Sequence, residues 1–420
     1  MNKSFDQLLV AVWALLASGL GMAFYIGLNA QPTPGGGGLA IQATYAVFYV
    51  LFAGMLALRF RESFAIFMKE KWIVVLWLWA LFSASWSLLP EVSLRRCIGL
   101  LGTILVGMFV ATRFEPKTQI RIVAYCMGIA AAASLVACLL FPKYAIAPTG
   151  EWTGVFYQKN ALGHPMALGV LSFTFLAFGQ KKGRLALIFM AVFCGGMLLM
   201  SRSVTAMIVC VTMLLVLRFR KWLLLRTRRL VAIGAVFLTI AIPAGIYAIQ
   251  HIDAILKVMG RDTTLTGRIP LWNVVLEEIA ARPMLGYGYS SFWLSAEGAR
   301  IQQNLGWQII HAHNGYLEIT LEIGLVGTAL LLLGAAINIF RGVRVARDAE
   351  DVYEFWPLFY LLYALFDNVA ESWFLVANSM LWMLFVANSY WIVRRYMEPV
   401  TEEDEGIEPL LDQMGEPVRP

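Results

Sequence analysis

Runs of about twenty consecutive apolar residues recur along the whole chain, and each is long enough to cross the hydrocarbon core of a bilayer. Lipid offers no partner for a backbone N–H or C=O, so such runs fold as helices that satisfy their own backbone. The candidate spans are roughly 7–28, 40–58, 72–89, 94–112, 120–141, 160–178, 184–200, 203–217, 230–249, 315–340, 355–373 and 375–393. The predicted fold is therefore all-α: a polytopic membrane protein with about twelve transmembrane helices and one large periplasmic loop. Only 14% of the residues are charged and 60% are hydrophobic, whereas a soluble domain carries roughly 25% charged residues. That deficit excludes a soluble enzyme, a disordered scaffold and a nucleic-acid-binding domain. The first run is longer than a signal-peptide core, which predicts an uncleaved first helix.

Lys and Arg set the orientation of such a chain. With Lys3 inside, 23 of the 33 Lys and Arg fall in cytoplasmic segments or at adjacent helix ends. Of the ten outer ones, five (Lys257, Arg261, Arg268, Arg282, Arg300) share one long loop, which translocates regardless of charge. The expected organisation is nine helices over 1–249, a periplasmic loop with short amphipathic helices over 250–314, three helices over 315–395, and an acidic, disordered cytoplasmic tail over 396–420. Both termini are expected in the cytoplasm. The net charge of +6 thus reports topology before it reports a partner. The cluster Arg218, Arg220, Lys221, Arg226, Arg228 and Arg229 reads as a topology anchor, with anionic membrane lipid as a second role.

The five cysteines lie in or beside apolar runs and none is near the four histidines, so neither a disulfide framework nor a zinc site is expected. No GxxxxGK[ST] loop occurs, and Gly35 to Gly38 read as a flexible connector.

Charges at the bilayer edge are costly and tend to be functional. On the outer side these are Arg95, Arg96, Lys159, Arg202, Arg268, His311, His313, Glu318, Glu322 and Glu371. Arg95 and Arg96 follow Pro90 and Ser93, with Ser93 a candidate cap; they are either snorkelling anchors or ligands for an anion. Cations at a helix start oppose the helix dipole, and an anionic partner would remove that penalty. Lys159 opens the sixth span with Asn160 as a candidate cap, and Arg202 sits in the short turn Ser201-Arg202-Ser203. Arg268 precedes Leu271, Trp272, Val275, Leu276 and Ile279, whose spacing predicts a short helix with Pro270 in its first turn. Arg268 would then stand at a helix N-terminus, where N–H groups also favour an anion. Trp272, Tyr287, Tyr289, Phe292, Trp293 and Trp307 read mainly as an interface belt, with one or two available to stack on sugars. His313 faces the same side as the cations and is a candidate general base. Gly324 and Gly327 predict close helix packing.

His313-Asn314, nine residues, then Gly324-Leu325-Val326-Gly327 resembles the signature of the O-antigen ligase and polymerase superfamily of bacterial polysaccharide assembly. Further blocks agree with it: Trp86-Ser87 through Arg95-Arg96, and Gly154-x-Phe156-x-x-Lys159-Asn160-x-Leu162-Gly163, where many relatives have His at the position of Gln158. Gly260 to Trp272 and Arg282 to Gly288 resemble most the exopolysaccharide polymerase branch. The resemblance implies a GT-C-like membrane glycosyltransferase of the bacterial inner membrane with a periplasmic active site. It implies an undecaprenyl-diphosphate-linked oligosaccharide as donor and acceptor, no cofactor and no metal.

On that footing His313 is the expected base. Arg268 and Arg202, followed by Arg96 and Lys159, are the expected donor-diphosphate ligands, with Asn314 and Glu371 in support. Glu371 would pair with an active-site Arg or with His313, or serve as structural glue. The favoured activity is polymerisation of lipid-linked repeat units, with a chain-length regulator as a further partner. The alternatives are a ligase that moves glycan to lipid A core or another acceptor, and a transporter of lipid-linked oligosaccharide.

Overall fold

The computed structural model describes residues 3–20, 39–224 and 268–397. The expected span at 230–249, the Gly35–Gly38 connector, the start of the outer loop (250–267) and the tail from 398 lie outside the described residues. The described residues are helical, without a β-strand among them and with one isolated bridge between Ile146 and Trp152.

The helices are α1 (Lys3–Leu15), α2 (Leu39–Ala57), α3 (Phe60–Lys69), α4 (Lys71–Phe82), α5 (Pro90–Arg113), α6 (Pro116–Leu140), α7 (Pro142–Ala145), α8 (Lys159–Gly179), α9 (Arg184–Ser201), α10 (Val204–Arg218) and α11 (Arg220–Leu223). After the gap come α12 (Arg268–Ala281), α13 (Ala296–Leu305), α14 (Gly315–Arg347), α15 (Trp356–Asp367) and α16 (Met380–Tyr396). Six of these, α2, α5, α6, α8, α9 and α14, are long and apolar enough to cross a membrane. The stretches Lys71–Trp86 and Val204–Arg218 are apolar but shorter.

Local chemistry moves several boundaries from where apolar runs alone would put them. Pro90 stands in the first turn of α5, where its missing N–H costs nothing. The helix therefore starts before Ser93, which is not its cap; the Ser93 hydroxyl donates to Tyr289 O at 2.7 Å. At the far side, α15 stops at Asp367, short of the expected 373. Asn368 causes this stop: its Nδ2 donates to Ala364 O at 2.8 Å, and its Oδ1 accepts from the N–H groups of Trp373 (2.7 Å) and Phe374 (3.1 Å). Such side-chain bonds compete with the helical ladder. The resulting link, residues 368–379, carries Glu371.

α14 is broken at Ile323 and Gly324, where Gly324 has φ 72°. The turn 283–288 inserts there. Leu325 N donates to Pro283 O (2.8 Å), Tyr287 N to Leu321 O (2.9 Å) and Gly288 N to Glu322 O (2.8 Å). A Cβ on Gly324 would collide with Met284 O. Gly324 thus serves the docking of the chain's own loop rather than the packing of two membrane helices, while Gly327 abuts the Ile323 side chain of its own helix.

Contacts sort the helix ends into two sets. At one end Arg113 meets Asp6 (2.5 Å), Arg394 meets Glu115 (2.6 Å) and Arg341 meets Glu70 (3.3 Å). These tie the start of α1 to the end of α5, the α5–α6 turn to the end of α16, and the α3–α4 turn to the later part of α14. At the other end lie the starts of α8, α10 and α14 with the 368–379 link. The start of α1 and the end of α16 therefore share the end opposite Glu371. Between the two ends runs α8, buried along most of its length and packed on α6, α9 and α10.

The segment 268–314 has its own small core of Leu271, Val275, Tyr287, Phe292, Trp293, Ile301, Ile309 and Ala312, set on Leu321 of α14. This corrects the expected interface belt: Tyr287, Tyr289, Phe292 and Trp293 are buried. The reason is hydrogen bonding, since Trp293 Nε1 donates to Glu318 (2.9 Å) and draws the segment onto α14. Trp272 is half-buried and donates to Ala312 O at 2.9 Å, while Trp307 stays exposed.

Candidate active site

Four chain segments meet at Glu371, which is 1% exposed, and a fifth joins through Asn160. Arg268 is the first residue of α12, and its Nη2 lies 3.1 Å from Glu371 Oε1. Asn160, in the first turn of α8, donates its Nδ2 to the same oxygen at 2.9 Å. His313, just ahead of α14, places Nδ1 at 3.4 Å from Glu371 Oε2. Ser203, ahead of α10, donates its hydroxyl to Asn160 Oδ1 at 2.8 Å. Asn160 was expected as a cap. Instead its side chain is committed to this cluster, and α8 begins without a side-chain cap.

The geometry of His313 is that of an oriented base. A carboxylate facing Nδ1 makes that nitrogen the N–H donor and leaves Nε2 with a lone pair to accept a proton. His313 holds φ 51°, in the left-handed region that ordinary residues avoid. Strain of this kind collects at functional sites. Asn314 fixes the backbone that follows by accepting from Tyr316 N (3.0 Å) and Leu317 N (3.1 Å), and its own N–H donates to Ser372 Oγ at 3.1 Å. Its role here is that of a cap that ties α14 to the Glu371 link.

His311 stacks edge-on against His313 with ring centroids 4.2 Å apart. His313 N donates to His311 Nδ1 at 3.2 Å. Burial above all, with neighbouring His313 and Arg268 adding to it, pushes the His311 imidazole down to about 3 despite the pull of Glu371. His311 is therefore a neutral neighbour. Donor atoms of His311, His313 and Glu371 lie within 4.8 Å of one another, close enough to share a small cation. Arg268 already holds Glu371, and its charge opposes a second cation there.

The other expected cations sit around this centre in two groups. Lys159 bonds Glu151 at 3.0 Å, and Arg202 Nη1 donates to Thr149 O at 3.2 Å, so both converge on the 149–151 turn. Thr149 and then Lys159 hold the Glu151 carboxyl down at about 2. Arg202 is exposed, with φ 51°, between the buried Ser201 and Ser203. Arg96 belongs to a separate group: it donates to the Ser290 hydroxyl and lies within electrostatic reach of Glu318 and Glu322. Glu318 in turn accepts from Ala312 N at 2.5 Å, which connects that group to the strand of chain bearing His313.

Two further residues of the cluster are His164 and Asp367, both buried. His164 Nδ1 is 2.5 Å from Asp367 Oδ1, and Nε2 is 3.7 Å from Glu371 Oε1. Both were passed over in the sequence, since each lies inside an apolar run. A charged or titratable residue within a predicted span was the available signal.

Taken together, an all-helical multi-pass membrane bundle carries a histidine, an arginine and a buried carboxylate at one end. Comparison with known proteins identifies the class. Residues 185–332 match the family described as O-antigen ligase. The chain is 31% identical over 341 residues to the exopolysaccharide production protein ExoQ of Rhizobium meliloti strain 1021, a match covering 75% of each protein. A Rickettsia prowazekii protein named as polysaccharide ligase RP358 is 26% identical over 135 residues, covering 30% of this chain and 33% of that protein. A Rickettsia felis protein, also named as a polysaccharide ligase, is 24% identical over 163 residues, 37% of this chain and 40% of that protein. The chain belongs to the O-antigen ligase family, on the side that includes ExoQ.

Proposed function

We propose that this chain is an inner-membrane polysaccharide polymerase that joins undecaprenyl-diphosphate-linked repeat units at the periplasmic face. His313 Nε2 takes the proton from an acceptor hydroxyl. The hydroxyl oxygen bonds to the anomeric carbon of the donor sugar on the face opposite the diphosphate, and the configuration inverts. The bond from that carbon to the diphosphate oxygen breaks, and the diphosphate leaves with the electron pair. Arg268, at a helix N-terminus, receives the developing negative charge. Arg202 and Lys159 stand on the neighbouring turn as further cations, and Arg96 lies one group away. No metal takes part.

The single observation that carries this reading is Glu371 gripping His313 and Arg268 at once. It sets a base and an anion receptor side by side at one end of a membrane bundle. The position of that end, opposite the start of α1 and the end of α16, supports cytoplasmic termini and a periplasmic site. Exposed Trp307, whose ring lies 6.2 Å from that of His313, offers a face for a sugar. The test is reconstitution of the pure protein with lipid-linked repeat units in the presence of EDTA. Longer glycan on one carrier and free undecaprenyl diphosphate are expected, and both are lost in His313→Ala and Arg268→Ala.

The family description and the names of the rickettsial relatives favour a second reading, a ligase that transfers finished glycan to another acceptor. Deletion separates the two. Loss of a polymerase leaves single repeat units on the carrier, and loss of a ligase leaves long chains there.

A further inference from the structure

We propose that His164 is a positioning residue for glycosyl transfer: the buried Asp367–His164 pair holds Glu371 so that its second oxygen faces His313. The inference rests on the reading of His313 as base. Four ionisable groups stand in sequence. Asp367 Oδ1 is 2.5 Å from His164 Nδ1, His164 Nε2 is 3.7 Å from Glu371 Oε1, and Glu371 Oε2 is 3.4 Å from His313 Nδ1. Asp367 and Glu371 are also joined through the backbone, with Glu371 N donating to Asp367 O at 3.1 Å.

Asp367 makes His164 Nδ1 a donor, so Nε2 is the nitrogen left to act on the site. Nε2 has two partners within reach, the Thr205 hydroxyl of α10 at 3.4 Å and Glu371 at 3.7 Å. Accepting from Thr205 leaves Glu371 with Asn160 and Arg268 on Oε1. Donating to Glu371 adds a third partner to that oxygen and neutralises the carboxylate further. The groups facing His164 are thus Asp367 from α15, Glu371 from the link, Thr205 from α10 and the charge of Arg268 from α12. Tyr360 and Tyr363 lie beside Asp367.

Stability alone is a weak reason for this arrangement. A buried charged pair is often replaced by apolar residues of similar volume at no cost to the fold. Among the described residues Asp367 Oδ2 also has no hydrogen-bond partner, so the carboxyl is not optimised as structural glue. What the pair does make is a contact at 3.7 Å, in competition with the Thr205 hydroxyl, to the one carboxylate that holds both His313 and Arg268. Partners standing behind metal ligands change activity about ten- to a hundred-fold when removed, and a loss of that order is expected for a partner behind this carboxylate.

The experiment uses the full chain in proteoliposomes, with lipid-linked repeat units extracted from the producing host lacking this protein. His164→Gln and Asp367→Asn are expected to lower kcat about ten- to a hundred-fold while KM moves less than about threefold. Both should also displace one limb of the pH profile of kcat. Because His164 acts through Glu371, the double variant H164Q/E371Q should be no slower than E371Q alone. A wild-type kcat and pH profile in either single variant, or additive losses in the double variant, overturns the proposal. Asp367→Asn keeps the test decisive if His164→Gln fails to insert. An inactive His313→Ala beside an unaffected His164→Gln sinks this inference alone, whereas a fully active His313→Ala sinks the functional reading beneath it.

Discussion

Replacing Glu371 by Gln removes one charge and almost no volume, so it isolates the electrostatic role of the hub. The carboxylate has three hydrogen-bonding contacts, with Asn160 (2.9 Å), Arg268 (3.1 Å) and His313 (3.4 Å). Hydrogen bonds to a charged group contribute about 1.5–3 kcal/mol and neutral ones about 0.5–1.5. Arg268 keeps its charge but loses its ion pair, and the Gln NH2 in place of Oε2 cannot accept from His313 Nδ1, so each of the two contacts to basic groups loses about 1–1.5 kcal/mol. If both are needed in the transition state, the barrier rises by roughly 2–3 kcal/mol, a fall in rate of about 30- to 160-fold. Asn160 can still donate to the amide oxygen, so the fold should survive. Glu371→Ala should be worse, because it strands the buried ends of Arg268 and Asn160. The assay is the initial rate of chain extension in proteoliposomes, with insertion checked by detergent gel filtration. A Glu371→Gln protein that keeps half the wild-type rate refutes the claim that this carboxylate organises the site.

Three other outcomes follow from the geometry. Gly324→Ala should lower the melting temperature in detergent, since a left-handed backbone costs an L-residue roughly 1–2 kcal/mol and the new Cβ overlaps Met284 O; an unchanged melt would mean that the α14 break is not rigid. His311 is held at about 3 against an unfolded value of 6.5, so it takes up a proton on unfolding between those values. Its contribution is complete above pH 6.5 and falls as the pH drops toward 3, and His311→Gln should flatten that fall in a stability series across this window. Trp307→Ala should raise KM for the lipid-linked glycan by about 2- to 12-fold, the range of one aromatic contact worth about 0.5–1.5 kcal/mol, with kcat little changed; no change in KM would remove Trp307 from the sugar path.

The helical bundle was legible because its signal is compositional: an apolar run of twenty residues reads the same in any context. Where boundaries moved, a side chain outbid the run. Asn368 ended α15 early by bonding to its neighbours, and Pro90 began α5 early. The site was legible in part. Arg268 and His313 stand at helix starts outside the apolar runs, where a basic residue is conspicuous in the sequence even though both side chains are largely buried. Asn160 was read as a cap because sequence shows only the nearest backbone, and its true partner Glu371 lies 211 residues away. His164 and Asp367 were not visible as a pair for the same reason: their contact spans 203 residues and both sit in apolar runs. The loop aromatics misled in the opposite direction. Near a membrane they suggest an interface belt, yet Glu318 offered Trp293 a hydrogen bond that placed it inside.

The most direct test of the account is the product formed by pure His313→Ala protein beside wild type, each reconstituted with the same lipid-linked repeat units. Wild-type protein should form a new glycosidic bond and release undecaprenyl diphosphate in equal amount. The variant should insert and bind substrate but form neither product. Full-length polymer from the variant at the wild-type rate would contradict the mechanism. Transbilayer movement of the units by wild type with no new bond would contradict the assignment of glycosyl transfer itself.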